Sequence, residues 1–248
     1  LLPNTKYYYS IGTTAETMEG DASDYYIHTA KGPGEPIRIW AIGDFGNGSS
    51  GQRQVRDRYY EYADATHTDV WLQLGDNAYN DGTDNEYQTK NFDVYTELYR
   101  NTVTWPTLGN HDGHSADSAT ETGPYYDIFT LPRAAEAGGL ASGTEAYYSF
   151  DNGNVHFVCL DSYDSSRAVG SPMLTWLEND LAATAQDWII AYWHHPPYSK
   201  GSHNSDTENA LRQMRTNAGP ILENYSIDLV LTGHSHVYER TFLIAGHY

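Results

Sequence analysis

Five short clusters of side chains that can bind metal ions recur along the chain. They span Gly43 to Gly46, Gly75 to Tyr79, Gly109 to Asp112, His194 to Pro197, and Gly233 to His236. Taken singly, such clusters are weak evidence, because a Gly-Asp pair after a strand is commonly an Asx turn. Turn formation does not explain why every cluster carries Asp, Asn or His. The joint pattern therefore predicts one metal site assembled from several parts of the chain.

Two carboxylates, one phenol, one carboxamide and three imidazoles form the predicted ligand set, with no thiolate. These side chains belong to Asp44, Asp76, Tyr79, Asn110, His194, His234 and His236. Such a set suits Fe, Mn or Zn better than a cysteine-rich structural zinc site. Seven ligands exceed the usual four of a single zinc ion and indicate two ions that share a carboxylate. Two ions about 3.5 to 4 Å apart can clamp an attacking hydroxide and a phosphoryl oxygen, which predicts ester hydrolysis.

Short apolar runs that alternate with helical patterns must position these clusters, and they predict an α/β domain with strands buried on both faces. The predicted strands are Ile37 to Ile42, Val70 to Leu74, Val155 to Leu160, Trp188 to Trp193, and Leu229 to Leu231. The predicted helices are Gln52 to Ala65, Tyr87 to Tyr99, Pro172 to Ala185, and Thr207 to Tyr225 split at Pro220. Four of the strands, and the segment Trp105 to Leu108, run directly into the clusters. Ligands bind at the carboxyl ends of strands in such sheets, so these ends should meet.

The first thirty residues differ from the rest of the chain. Tyrosines alternate in Lys6 to Ile11 and in Tyr25 to Thr29, which predicts two strands and half of a β-sandwich. The Gly- and Pro-rich stretch Lys31 to Pro36 is the best linker candidate. One large catalytic domain fits in the remaining residues.

Composition excludes several classes of function. The formal net charge is -19, and so acidic a protein repels nucleic acid backbones and anionic membranes. No stretch approaches the ~20 apolar residues that cross a bilayer. The single cysteine, Cys159, lies in an apolar run where a buried, inert thiol is expected. The strongly negative net charge favours a secreted location, either periplasmic or extracellular.

In chain order, the five clusters resemble the sequence blocks of the purple acid phosphatases, members of the calcineurin-like metallophosphoesterase superfamily. Those blocks read D-x-G, G-D-x-x-Y, G-N-H-D/E, V-x-x-H and G-H-x-H. The discriminating residue is Tyr79, since most other metallophosphoesterases lack this tyrosine. The fourth block departs from the pattern, because Ala191 replaces Val and a second histidine, His195, follows the presumed ligand. In the third block Asp112 is the shorter of the two acidic residues that the pattern allows.

The resemblance implies the fold, which is α/β with two mixed β-sheets packed as a sandwich between flanking helices. Residues 1–30 are similar to the late part of a fibronectin type III β-sandwich, residues 31–36 form the linker, and residues 37–248 form the catalytic domain. Tyr248 follows the fifth block by only a few residues. One expectation is therefore that the catalytic domain is truncated at its C-terminus.

The resemblance also implies how the metals are shared. Fe(III) would be held by Asp44, Asp76, Tyr79 and His236, and its bond to the phenolate would produce colour. A divalent Zn, Fe or Mn ion would be held by Asp76, Asn110, His194 and His234. Asp76 would then bridge the two ions.

Three further residues acquire catalytic roles by resemblance. His111 and His203 would bind phosphate or protonate the leaving alkoxide, and Asp112 would orient His111 through a carboxylate-imidazole hydrogen bond. For His195, beside the ligand His194, the resemblance leaves two readings open, a wall of the pocket or a direct ligand.

The implied activity is hydrolysis of small phosphate monoesters, as an acid phosphatase, by attack of a metal-bound hydroxide on phosphorus. Two alternatives remain open. One is a phosphodiesterase or nucleotide hydrolase with the same metal centre, because the ligands do not determine the leaving group. The other is a secreted binding module that keeps the scaffold without turnover. No nucleic acid or membrane partner is expected.

Overall fold

A computed structural model describes residues 1–20 and 22–246; the predicted domain end at residue 248 lies outside them. The strands are β1 (Lys6–Tyr8), β2 (Ile11–Gly12), β3 (Thr17–Glu19), β4 (Tyr26–His28), β5 (Ile39–Ile42), β6 (Val70–Gln73), β7 (Thr104–Pro106), β8 (Tyr148–Asn152), β9 (Val155–Cys159), β10 (Trp188–Trp193) and β11 (Leu229–Thr232). The helices are α1 (Ser50–Ala63), α2 (Asp84–Tyr87), α3 (Thr96–Asn101), α4 (Pro124–Ile128), α5 (Pro172–Ala183), α6 (Asn209–Gln213) and α7 (Gly219–Asn224).

Strands β5 to β11 form two β-sheets. The first has the strand order β5-β6-β7 and is parallel throughout. The second has the order β11-β10-β9-β8, in which β8 alone runs antiparallel to its neighbour. The carboxyl ends of β5, β6 and β7 therefore share one edge of their sheet, and those of β9, β10 and β11 share one edge of theirs.

The two sheets pack face to face around one apolar core. Val70 and Leu72 of β6 meet Phe157, Cys159 and Tyr192 of the second sheet, and all five side chains are buried. Successive side chains of a strand point to opposite faces, so the neighbours of these residues point outward. This sandwich confirms the predicted fold class, with one difference: of the two sheets predicted to be mixed, the first is parallel throughout over the described strands.

Helices cover the outer face of each sheet. Trp71 of β6 packs with Tyr95 and Leu98 of the α3 region. On the other side, Trp193 of β10 packs with Leu177 of α5. The layers thus run helix, sheet, sheet, helix. Helix α5 begins as its sequence predicts, with the Ser171 side chain accepting the Leu174 N–H and Pro172 in the first turn.

All five apolar runs form strands, but three details differ from the sequence predictions. Strand β8 was missed, because its core residues alternate with polar ones and form no continuous run. Residues 87–99 do not form one helix. Tyr87 belongs to the core between the sheets and Tyr95 to the outer core, so a π-helical turn over Gln88–Phe92 separates the two. Residues 207–225 contain a π-helical turn, Met214–Ala218, before Pro220 in the first turn of α7.

The N-terminal segment forms two small antiparallel pairs, β1 with β4 and β2 with β3. It lies against helix α3, because the Tyr9 hydroxyl donates to the Arg100 carbonyl oxygen and Asp24 pairs with the Arg100 guanidinium at 2.7 Å. Its relation to a fibronectin type III domain, and the boundaries at residues 30 and 36, stay predictions. Among the described residues, the helices are too short or too polar to cross a bilayer.

Candidate metal centre

The seven predicted ligands come together at the carboxyl ends of both sheets. Asp44 follows β5, Asp76 and Tyr79 follow β6, and Asn110 follows β7. His194 follows β10, while His234 and His236 follow β11. Residues separated by 190 positions are in direct contact, since the His234 backbone N–H donates to Asp44 Oδ2 at 2.7 Å. The two sheets therefore contribute to a single site.

One group of donors surrounds the Tyr79 hydroxyl. Its oxygen lies 3.2 Å from Asp44 Oδ1, 3.0 Å from Asp76 Oδ2 and 3.1 Å from His236 Nε2. Ligand atoms of Asp44, Asp76 and His236 all lie within 4.8 Å of one another. These four side chains, which the resemblance predicts to hold Fe(III), therefore lie close together.

A second group of donors surrounds His194 Nε2. This nitrogen lies 3.1 Å from Asn110 Oδ1, 3.1 Å from His234 Nδ1 and 3.5 Å from Asp76 Oδ2. The other ring nitrogen, Nδ1, donates to the Leu74 carbonyl oxygen at 2.9 Å. That hydrogen bond leaves Nε2 of a neutral ring free to accept a cation. These four side chains, which the resemblance predicts to hold the divalent ion, therefore also lie close together.

Asp76 lies between the two groups. Its Oδ2 contacts both the Tyr79 hydroxyl and the His194 ring, and its Oδ1 accepts the His111 backbone N–H at 2.9 Å. The residue is 1% exposed. Of the seven side chains, Asp76 is therefore the one placed to reach two ions at once.

The turns that carry the ligands are conformationally unusual. Asp44, Asp76, His234 and His236 all have positive φ, at 56°, 53°, 70° and 50°. For residues other than glycine such conformations are uncommon, and they concentrate at functional sites. Gly109 is needed for close approach, because a Cβ there would lie 2.1 Å from the Asp76 nitrogen.

The electrostatics of the site favour cations. Burial, together with the charges of Asp44 and Asp76, raises the pKa of the Tyr79 phenol well above its usual range. Burial alone would lower the pKa of His194, but Asp76 and Asp44 outweigh it and raise that pKa to about 9. Excess negative charge in a buried pocket is stabilised by bound cations. The donor chemistry therefore fits two metal ions.

His111 lies beside this pocket, but not in the arrangement predicted for it. Its Nδ1 donates to the Asn80 carbonyl oxygen at 2.6 Å, and its Nε2 lies 4.0 Å from Asp76 Oδ2. The predicted hydrogen bond from Asp112 to the His111 ring is wrong, because backbone Asn80 takes that place.

Asp112 instead holds the loop after β6. Its carboxylate accepts the backbone N–H groups of Asn77, Ala78 and Gly109 and the Tyr87 hydroxyl. The residue is fully buried, and burial together with the charge of Asp76 raises its pKa to about 6. Asp112 thus positions the turn that carries Asp76 and has no contact with the imidazole it was predicted to orient.

His203 reaches the pocket from the loop after β10. Its ring stacks on the His234 ring at 3.7 Å between centroids, and its Nδ1 donates to Glu208 Oε2 at 2.8 Å. The sequence prediction missed Glu208, because its contact with His203 depends on the conformation of this loop. The structure thus brings His203 to the site together with a carboxylate that orients its ring.

His195 lies against the same pocket, 6% exposed, and its ring centroid is 4.4 Å from that of His234. Its Nδ1 lies 3.0 Å from Ser162 Oγ, a partner that the sequence did not indicate.

Cys159 is a buried free thiol, as predicted, and burial raises its pKa to about 12. It belongs to the core between the sheets and not to the site.

Comparison with known proteins agrees with this geometry. A family model for calcineurin-like phosphoesterases matches residues 37–238. Purple acid phosphatase 23 of Arabidopsis thaliana is 29% identical over 97% of this chain and 56% of its own length. The Fe(3+)-Zn(2+) purple acid phosphatase 12 of the same plant is 26% identical over 96% of this chain and 50% of its own.

Among solved structures, a purple acid phosphatase from yellow lupin (Lupinus luteus) superposes with a TM-score of 0.62. It is 16% identical and matches 85% of this chain and 40% of its own, so it supports the fold alone. The chain spans about half the length of the curated relatives it matches. Because the family model covers most of the sequence and all seven clustered side chains, this chain belongs to the calcineurin-like phosphoesterase family and is a purple acid phosphatase-like member of it.

Proposed function

We propose that this chain carries the catalytic domain of an acid phosphatase, a hydrolase that acts on small phosphate monoesters with two metal ions. One observation carries the proposal: Asp76 lies between two converging groups of donors, each with the ligand types that iron, zinc or manganese prefer. A single structural metal would need only one such group.

The proposed ligands follow the two groups. Fe(III) is assigned to Asp44, Asp76, Tyr79 and His236, and a divalent Zn, Fe or Mn ion to Asp76, Asn110, His194 and His234. The phenol supports a ferric assignment, because its high pKa makes ionisation favourable only beside a strong cation. One similar protein carries Fe(3+)-Zn(2+) in its name.

Bound ions of this kind supply Lewis acidity that polarises the phosphoryl group and activates water. The protein side chains bind and orient the substrate and move protons. The His111 ring is held by Asn80 through Nδ1, and its Nε2 faces the pocket. With both nitrogens protonated, as an imidazolium, His111 would bind a phosphate oxygen or donate the Nε2 proton to the leaving alkoxide. Glu208 holds His203 through Nδ1 in the same way.

Loss of the bridging carboxylate tests the proposal. We expect Asp76→Ala to lower kcat/KM for p-nitrophenyl phosphate by at least about 10³-fold, since metal ions contribute several kcal/mol to such reactions. Elemental analysis should show fewer than two metal ions per chain. The control is Asp187→Asn, an exposed aspartate before the amino end of β10, whose activity should match the wild type. Unchanged hydrolysis by the Asp76 variant would refute the proposal.

The choice of monoester is tested separately. Initial rates on p-nitrophenyl phosphate and on bis(p-nitrophenyl) phosphate, measured under the same conditions, should favour the monoester. Preference for the diester would overturn the substrate class and leave the metal centre intact.

A secreted location, periplasmic or extracellular, is also part of the proposal. It is supported by the net charge of -19, because so acidic a surface favours solubility in a saline or extracellular setting. Fractionation of the source cells, with activity assayed in medium and lysate, tests it.

A further inference from the structure

His195 is a polar residue at the pocket, and it is not among the proposed ligands of either metal ion. Its ring centroid lies 4.4 Å from that of His234 and 5.0 Å from that of His194. One ring nitrogen of each of these three histidines lies within 4.8 Å of the other two. The side chain therefore borders the second group of donors, while its backbone belongs to the turn after β10.

Ser162 determines which nitrogen of His195 carries the proton. The Ser162 Oγ accepts the His195 backbone N–H at 2.9 Å and lies 3.0 Å from His195 Nδ1. Ser162 is fully buried, and no other acceptor for its hydroxyl proton occurs among residues 1–20 and 22–246. Because a buried hydroxyl without an acceptor is unfavourable, the hydroxyl donates to Nδ1. The ring proton of neutral His195 is then on Nε2.

The loop around Ser162 is held rigidly. The Arg167 guanidinium donates to the carbonyl oxygens of Ser162 and Tyr163, both at 2.8 Å. The Tyr163 ring lies parallel to the His195 ring, with 6.3 Å between their centroids. The position of the hydroxyl, and through it the tautomer, is therefore set before any ligand arrives.

A ring nitrogen that carries a proton cannot coordinate a cation, but it can donate a hydrogen bond to an anion. In the described part of the chain, His195 Nε2 has no hydrogen-bond partner of its own. We propose that His195 binds a phosphate oxygen of the substrate through its Nε2–H, as a neutral donor held in that tautomer by Ser162. This inference rests on the proposed phosphatase function and adds a substrate contact that the sequence blocks do not assign.

Two substitutions of His195 by residues with amide side chains distinguish the roles of its two ring nitrogens. In His195→Gln the terminal amide takes the place of Nε2, whereas in His195→Asn it takes the place of Nδ1. The measurement is isothermal titration calorimetry of inorganic phosphate into each metal-loaded protein, with elemental analysis of the same samples. We expect His195→Asn to weaken phosphate binding about tenfold or more, as loss of a hydrogen bond to a charged group does, and His195→Gln to stay within about threefold of the wild type. Metal content should not change.

A third variant addresses the tautomer and guards against misfolding at position 195. Ser162→Ala keeps the imidazole but removes the hydroxyl that fixes the ring proton on Nε2. We therefore expect phosphate affinity to fall by a few fold with both metals retained. Thermal unfolding of every variant checks that the fold persists.

Several results would overturn the inference. Loss of metal from both position 195 variants would make His195 a ligand, and an unchanged phosphate affinity in His195→Asn would remove it from the substrate site. A wild-type protein that binds metals but no phosphate would contradict the proposed function itself, which distinguishes the two failures.

Discussion

The protonation of the Tyr79 phenol depends on the charged groups around it. Its hydroxyl lies within 3.2 Å of two carboxylates, and burial with their charges raises its pKa far above that of free tyrosine. Without a cation the phenol therefore stays protonated and donates a hydrogen bond. A ferric ion would reverse this preference, because its charge stabilises the phenolate directly.

Tyr79→Phe tests this assignment at the residue scale. We expect the variant to lose a visible absorption band from phenolate to iron while keeping two metal ions per chain, since six of the proposed ligands remain. Visible spectra and elemental analysis of wild type and variant check both statements. A band that persists in the variant would show that another group produces it.

Asp112 shows where residue-level inference fails. A carboxylate next to a histidine in sequence suggests that the two interact. In the structure the Asp112 carboxylate accepts backbone N–H groups of the preceding turn, and the His111 ring is bound by Asn80. Adjacent residues in a tight turn point in different directions, so sequence proximity does not determine their side-chain contacts.

At the scale of elements, His156 ties helix α5 to strands β8 and β9. Its Nδ1 lies 2.7 Å from Asp151 Oδ1 and its Nε2 lies 2.8 Å from Asp180 Oδ2, and the imidazole is fully buried. Burial alone would lower its pKa, but the hydrogen bonds and charges of the two carboxylates raise it to about 9. The folded protein therefore holds this histidine charged over a wide pH range.

A pH dependence of stability follows from that pKa. The folded-state pKa exceeds the unfolded value of 6.5, so the stabilisation is fully present below about pH 6.5 and is lost as pH rises through about 9. The loss should be about 3 kcal/mol, since one pKa unit corresponds to about 1.4 kcal/mol. Urea unfolding at pH 6 and pH 9.5 measures it. We expect His156→Gln to be less stable at pH 6 and to lose less between the two pH values; an equal loss in both proteins would contradict this account.

At the scale of the whole molecule, the site depends on how the two sheets pack, because each sheet supplies part of the proposed ligands. Leu72 lies between the sheets and is fully buried. We expect Leu72→Ala to lower the free energy of unfolding by about 2 to 5 kcal/mol, as removal of a buried leucine side chain does. Chemical denaturation of wild type and variant measures this.

The matched control is Leu243→Ala, because Leu243 is 99% exposed and should change stability by less than about 0.5 kcal/mol. Metal affinity in the Leu72 variant should also fall, since a looser sandwich no longer fixes the distance between the two groups of ligands. Retained affinity together with a large loss of stability would show that the site is held by its turns alone.

The sequence by itself determined the α/β class, five of the strands and all seven clustered side chains. Those strands are continuous apolar runs. Four of them, and the segment Trp105 to Leu108, are followed by turns that carry Asp, Asn or His, so both signals are local. It did not reveal β8, whose core residues alternate with polar ones, or the break after Tyr87, which arises because its two flanks pack on different cores.

Only the tertiary structure decided which side chains meet and through which atoms. It separated the proposed ligands into two groups around Asp76, placed Asp112 against the loop after β6, and brought Glu208 to His203 and Ser162 to His195. These contacts join residues whose relative positions depend on the packing of whole sheets and on the conformation of loops. No local pattern encodes such distances, whereas the types of the ligand residues are encoded at each strand end.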